Sequence, residues 1–549
     1  MKATADTRQD DLAFGFGRRD ISCFEPEMTM MGWGVRTNQA REVGVPLHAR
    51  AVVLADAHGG RVAFVAIDAL IVTQGLWWGV LDALALRPEL GLGAHNVIIV
   101  ATHSHSGPSG YGHHFWTNMG TPGFSQVVYD GLRDGIVGAI GDAFAARRVG
   151  RVTVARTTVP LGDGIAFNRS WFAYNRNPDV TPVSEARRDE ATDRLMTVLR
   201  FRAPDGTLAG VVNWLGLHGT TVHADNVRMH PDHKGLAALA LEARGLGVVF
   251  AQECCGDVSP NYRWDKRRGH TMGRYDDDLA SAAYVADAQV RNVDAIDPGA
   301  ETELVGPLEV AVRFVDFAGA TAPGKYTVDG NAQRTTKATL GMSMAEGTAE
   351  GPGPLRQVRA LNRVLSRVAR LRGDAKVPFL ELGRGNEGRL AGLLPMTWTP
   401  PLDPVFRWVR DAVRRGAVHA GPWLPEVVPL HIVRIGAFAL VALPFETTTV
   451  SGRRLRATVQ ASLPGVSHVV VSPYANAYVG YLTTFEEYQV QHYEAGYTLF
   501  GQHSLAAVRG EVEALCAQLG PRVTSAGGLP PRVDLEPIER MRYRGPWVD

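Results

Sequence analysis

Two histidines one residue apart, placed where an apolar run ends, are the strongest chemical signal in the chain. The run NVIIVA (residues 96–101) leads directly into THSHSGPSGY (residues 102–111). In extended backbone, residues i and i+2 point the same way. His103 and His105 can therefore aim into one cavity at the C-terminal end of a strand, where open α/β sheets place their ligands. Imidazole is both a good zinc ligand and a good proton carrier. A second apolar run, ending in NWLGLHGT (residues 213–220), delivers His218 in the same way. After an HxH strand end, a third imidazole is a plausible third nitrogen ligand.

Two other strand ends carry reactive side chains. GVVFAQECCGDVSPN (residues 247–261) runs into a Gly/Pro-flanked turn that presents Ser259. It lacks the GxSxG elbow, and read alone a turn serine most often bonds its own backbone. LPFETT (residues 443–448) ends a strand with the carboxylate of Glu446, and NAYVGYLTTFEEY (residues 476–488) leads on to Tyr493. A phenol can ligate a metal or donate to an oxyanion. Two familiar HxH patterns do not fit. The HxHxDH of metallo-β-lactamase-type hydrolases meets Gly107 and Pro108 here, and amidohydrolase barrels carry HxH on their first strand.

The elements that must position these groups are legible as a pattern. Val/Ile-rich runs at 61–67, 96–102, 208–215, 247–252, 431–443 and 468–474 read as strands, several buried on both faces. Between Phe124 and Arg147, Val128, Leu132, Ile136, Ile140 and Phe144 recur every four positions, the stripe of a core-packed helix. The alternation predicts an α/β class: a mixed β-sheet core flanked by helices, with the zinc site at strand ends. Residues 355–372 form another helical pattern, with Leu355, Val358, Leu361, Val364, Val368 and Leu371 on one side and Arg356, Arg359, Arg363, Arg367 and Arg370 crowding the others. Docking on an anionic membrane is one reading. The default expectation is a surface helix with a solvated charged face. Residues 321–354, rich in Gly, Thr and Pro, read as long loops.

Composition narrows the function classes. With 549 residues, 45% apolar and 21% charged, the chain is globular, not disordered. Lys plus Arg number 57 against 56 for Asp plus Glu, so there is no basic excess of the kind a nucleic-acid binder shows. The four cysteines contain no CxxC pair, which argues against a zinc ribbon or a disulfide scaffold. No apolar stretch reaches the ~20 residues needed to span a bilayer, and the first residues do not read as a secretory signal. The expectation is a cytoplasmic protein with no transmembrane segment and no nucleic-acid partner. The sequence does not set its oligomeric state.

Taken in order, these motifs resemble the neutral (non-lysosomal) ceramidase family. The resemblance runs from GRRDI (17–21) and MMGWG (30–34) through THSHSGPSGY, FNRS (167–170), NWLGLHGT, GDVSPN, GMS (341–343), GTAEGPG (347–353) and LPFETTTVSGRRLR to NAYVGYLTTFEEYQVQHYEA. It covers about residue 15 to about residue 510.

The resemblance implies one catalytic zinc in an α/β domain and hydrolysis of the amide of an N-acylsphingosine. Carried over position by position, it makes His103, His218, Glu446 and Tyr481 the zinc ligands. Ser259 matches a residue assigned as nucleophile in the family, with a zinc-activated water as the alternative, which we favour here. Tyr493 matches the oxyanion donor, and His105 and Arg169 match residues lining the substrate headgroup site.

The expected organisation is an N-terminal extension (1–14), a ceramidase-like catalytic domain (15–519) and a Pro-rich tail (520–549). The family's C-terminal immunoglobulin-like domain is not expected after residue 519. After GPSGY the chain reads GHHFWTNMGTPG, where the ceramidases have a more apolar stretch. The predicted function is thus a zinc-dependent amidase on an N-acyl, lipid-like small molecule, ceramide or ceramide-like, with the direction of the reaction not set by the sequence. The alternative is a cytoplasmic biosynthetic zinc enzyme of the same fold acting on another acyl compound by ester hydrolysis, acyl transfer or cyclisation.

Overall fold

A computed structural model describes residues 12–118, 121, 123–353, 356–371, 373–385, 389–390, 394–395, 423–520, 524–526 and 532. The core is built on two sheets. The first uses β1 (Leu12–Asp20), β2 (His48–Ala55), β3 (Arg61–Ile67), β4 (Val97–Ala101), β5 (Arg148–Thr158), β6 (Leu195–Arg202), β7 (Leu208–Leu215) and β8 (Gly247–Gln252). Their order is β8-β7-β6-β5-β1-β2-β3-β4, and Thr302–Glu303 adds to β5. The β8/β7 and β3/β4 pairs are parallel and those between are antiparallel, so the sheet is mixed.

The second sheet contains β9 (Leu308–Asp316), β10 (Val427–Ile435), β11 (Phe438–Ala442) and β12 (His468–Ser472), in the order β12-β11-β10-β9. Thr524–Ala526 pairs with β9 in parallel. The two sheets pack face to face: the Trp214 ring lies 5.4 Å from Phe64 in its own sheet and 5.9 Å from Phe438 in the other. Val52, Ile98, Val212, Val310, Leu440 and Val470 fill the same layer.

Helices cover the outer faces. The sequence stripe 124–147 becomes α2 (Gln126–Ala145), following α1 (Gln74–Ala85), and Val128, Leu132, Ile136 and Ile140 are buried. Ser125 caps α2 by accepting from Val128 N. Next come α3 (Asp232–Glu242), α4 (Asp278–Asp294), α5 (Arg359–Arg370), α6 (Thr449–Ser462) and α7 (Ser504–Cys516). Among the described residues no helix is long and apolar enough to cross a membrane.

Three segments depart from the sequence reading. The run 431–443 is two strands, not one, because Gly436 (φ 52°) turns the chain in a two-residue loop and β10 pairs with β11 antiparallel. The 321–354 segment carries short strands at Thr321–Ala322, Gln333–Arg334 and Thr339–Gly341. In α5 the buried positions are polar, Asn362 and Ser366, and the apolar ones face out. Of the extension, residues 12–14 open β1 and the rest lies outside the described residues. In the tail, Arg532 pairs with Asp82, and most of the remainder likewise lies outside them.

Candidate metal centre

The first sheet curls until its two ends meet. Ser104, just past β4, bridges Gly219, just past β7, and the Gln252 amide at the end of β8 donates to Thr102 O at 2.8 Å. This closure brings the two histidine motifs together. The Nε2 atoms of His105 and His103 are 3.3 Å apart, and the ring centroids of His103 and His218 are 4.8 Å apart. His103, His105 and His218 each offer one nitrogen within 4.8 Å of the others.

The second sheet supplies the carboxylate and the phenols. Glu446–Thr447, past β11, pairs in parallel with Tyr481–Leu482, past β12, which sets Glu446 beside Tyr481. Glu446 Oε1 lies 2.9 Å from His218 Nε2 and 3.5 Å from His103 Nε2. Despite this proximity the oxygen has no hydrogen-bond partner of good geometry among the described residues. Its partner Oε2 accepts from the Tyr478 hydroxyl at 2.8 Å.

The two imidazoles are held from behind. His103 Nδ1 donates to Leu70 O and His218 Nδ1 to Cys255 O, both at 2.7 Å. That turns each Nε2 toward the centre, the arrangement backbone carbonyls impose on metal-ligating histidines. Tyr474 stacks on His103 with ring centroids 4.2 Å apart, and both residues adopt positive φ, 59° and 65°. Such backbone is costly for bulky residues and persists where packing over-determines it. His105 differs, because its Nδ1 has no hydrogen-bond partner among the described residues. The edge of Trp33 packs against its ring, and a Cβ on Gly32 would come within 2.6 Å of it, which explains the glycine in MMGWG.

The electrostatics suit a cation. Burial pushes His103 down to about 4 and His105 well below its ordinary value, so both are neutral and can offer a lone pair. Burial also opposes charge on His218 and Glu446. The Cys255 carbonyl and the Glu446 carboxylate nevertheless raise His218 to about 10, and the His103 and His218 imidazoles hold Glu446 down to about 2. The centre is thus built to hold positive charge between two imidazoles and a carboxylate. A buried carboxylate oxygen without a hydrogen-bond partner among the described residues, facing two anchored imidazoles, fits a zinc ion.

Arg169 ties the second wall together. Its Nε donates to Glu494 Oε1 at 2.9 Å, and its Nη2 to Tyr481 OH at 2.9 Å and Gly256 O at 2.8 Å. Its Nη1 lies 3.6 Å from Glu350 Oε2. Tyr493 packs edge-on against Tyr481 at 5.7 Å, with the Arg169 guanidinium 5.6 Å from its ring centre. Burial raises the Tyr493 phenol, so it keeps its proton at neutral pH. Ser259 is buried, but its hydroxyl bonds within its own turn, accepting from Asn261 N at 2.8 Å.

This architecture is shared with known proteins. The family described as neutral/alkaline non-lysosomal ceramidase, N-terminal, matches residues 12–371 and 412–509. The chain belongs to this family. It is 32% identical over 513 residues to the neutral ceramidase of Pseudomonas aeruginosa, covering 91% of this chain and 71% of that one. It is 29% identical over 541 residues to the neutral ceramidase of Mycobacterium tuberculosis, covering 92% and 76%. A solved structure described as ceramidase complexed with C2 superimposes with a TM-score of 0.78 at 30% identity, over 95% of this chain and 78% of that one. The crystal structure of the Pseudomonas aeruginosa neutral ceramidase gives 0.75 at 28% identity, over 96% and 77%. The α/β fold with a mixed sheet core is therefore that of neutral ceramidases.

The structure gathers His103, His105, His218, Glu446, Tyr481, Arg169 and Tyr493 in one place and seats Ser259 two residues beyond Asp257, in its own turn. Sequence reasoning missed Tyr478, Tyr474, Glu350 and Glu494. Tyr478, Glu350 and Glu494 stand inside motifs quoted above, but only the fold shows Tyr478 reaching Glu446 and the two carboxylates facing Arg169.

Proposed function

We propose that the protein hydrolyses the amide bond of a ceramide-like N-acyl lipid with a zinc ion held by His103, His218, Glu446 and Tyr481. One observation carries this reading: two carbonyl-anchored imidazoles converge on a buried carboxylate oxygen that has no hydrogen-bond partner among the described residues. The relatives' names, neutral ceramidases, support the substrate class. Bound zinc would polarise the scissile carbonyl and lower the pKa of a water to ~7.

The chain's own residues do the rest. Tyr493, protonated at neutral pH, donates to the oxyanion that develops on the carbonyl oxygen. His105, kept neutral by burial and unanchored at Nδ1, carries the proton lost by the attacking water to the departing amine. Arg169 orients the Tyr481 oxygen and, with Glu350 and Glu494, forms the polar wall for the substrate headgroup. The engagement of the Ser259 hydroxyl in its own turn supports water, not serine, as the nucleophile.

The test is product analysis. Purified protein incubated with a ceramide of defined acyl chain is expected to release free fatty acid and sphingoid base in equal amounts, detected by mass spectrometry, and to stop on chelation. Intact ceramide after prolonged incubation with metal-replete protein would overturn the proposal.

A further inference from the structure

Helix α5 wears its amphipathicity inside out. Its inner face is polar: Asn362 Nδ2 donates to Glu346 Oε1 at 2.5 Å, and Ser366 Oγ to Ala375 O at 2.7 Å. Its outer face is apolar, with Leu361 and Val364 each 55% exposed and Val368 49%, and Leu371, just past its end, is 88% exposed. Water-soluble surfaces do not leave such a stripe bare without a use. Charge flanks it. Arg363 and Arg367 are exposed beside the stripe, while Arg359 lies 3.4 Å from Glu346 and Arg370 donates to Gln489 O. Just before the helix, the Arg356 guanidinium sits 5.8 Å from the ring centre of Trp264, itself 48% exposed.

We propose that α5, with Trp264, docks this protein on an anionic phospholipid surface. An apolar face bordered by arginines, with an aromatic ring at its edge, is the pattern of a helix that lies in the headgroup plane. The arginines commit the partner to lipids of negative charge. A second copy of this chain would have to meet the same arginines with like charge. The position also has a consequence for substrate entry. The helix follows the 347–353 segment, whose Glu350 reaches Arg169 and whose Gly351 would meet the Trp33 ring with any added Cβ. Through Asn362 and Glu346 the helix packs on the segment that leads into the wall of the candidate site, so docking would hold that wall near the lipid surface.

Vesicle flotation tests this with the intact protein. The wild type is expected to float with vesicles of phosphatidylcholine plus phosphatidylglycerol, to stay unbound with phosphatidylcholine alone, and to release as salt is raised. An arginine near an anionic leaflet is worth about 1 kcal/mol, so Arg363→Gln with Arg367→Gln should weaken partitioning roughly 30-fold. Leu361→Ser with Val368→Ser should abolish it. All four side chains are exposed, so the unfolding midpoint of each variant should match the wild type. The readout needs no turnover, so its failure is separate from failure of the amidase reading. No flotation, equal flotation on both vesicle types, or unchanged flotation of the variants would overturn the proposal. So would self-association in sedimentation velocity that depends on Leu361, which would make the face an interface between copies.

Discussion

Removing Arg169 should expose how much of the site's architecture rests on one guanidinium. Its side chain is 6% exposed, and it faces Glu494 at 4% and Glu350 at 2%. Arg169→Ala leaves both carboxylates buried without that partner and removes donors to Tyr481 and Gly256. Breaking a buried pair from one side costs about 3–5 kcal/mol. Glu494 keeps Ser170 and His492 as partners, so the lower end, about 3 kcal/mol, applies at pH 7.

The pH dependence follows from Glu494. Burial alone would raise this carboxyl, and Arg169, with His492 and Ser170 behind it, more than reverses that, holding it well below its ordinary value of 4.5. In the wild type its stabilisation is complete above that ordinary value and is lost as pH falls toward the folded one. In Arg169→Ala the largest of the opposing effects is gone, Glu494 rises and binds a proton sooner, and the penalty shrinks as pH drops. Urea unfolding followed by tryptophan fluorescence at pH 7 and pH 5 measures both quantities. A loss under about 1 kcal/mol at pH 7, or the same loss at both pH values, would refute the reasoning.

Other substitutions separate the roles assigned at the centre. Tyr493→Phe should retain metal and lower kcat by about 10²–10³, as loss of one oxyanion donor does, whereas Tyr481→Phe should release metal more readily; equal metal loss in both would show the roles are misassigned. Tyr478→Phe removes the hydroxyl that holds Glu446 Oε2, and a competition titration with a chelator should read metal affinity about 10–100-fold weaker; unchanged affinity would free Tyr478 of that role. Ser259→Ala should keep its metal and form no acyl adduct with substrate, and an acyl mass on the wild-type Ser259 peptide in quenched reactions would make the serine the nucleophile.

How far the sequence reached depends on whether a feature was local. The strands at 61–67, 208–215 and 247–252 were legible to the residue because short apolar runs bounded by Gly, Asp or Asn have few alternatives. The hairpin at Gly436 was missed because the apolar run continues through the turn, and only positive φ marks it. The HxH geometry was partly legible. Strand alternation put His103 and His105 in one cavity, but His103 leaves extended backbone at φ 65°, and it is Leu70 that aims its ring. Tyr478 and Glu494 were hidden for a different reason. Their meaning comes from contacts with Glu446 and Arg169, 32 and 325 residues away in sequence. The inverted face of α5 was also beyond periodicity, which reports that a helix has two faces but not which one the fold turns inward.

The central claim is a metal held by His103, His218, Glu446 and Tyr481, and metal content tests it most directly. Elemental analysis of gel-filtered protein should find one zinc per chain in the wild type and none in His103→Ala with His218→Ala, at equal folded content by circular dichroism. Wild-type protein that holds no zinc after zinc loading, or a double variant that keeps it, would contradict the account.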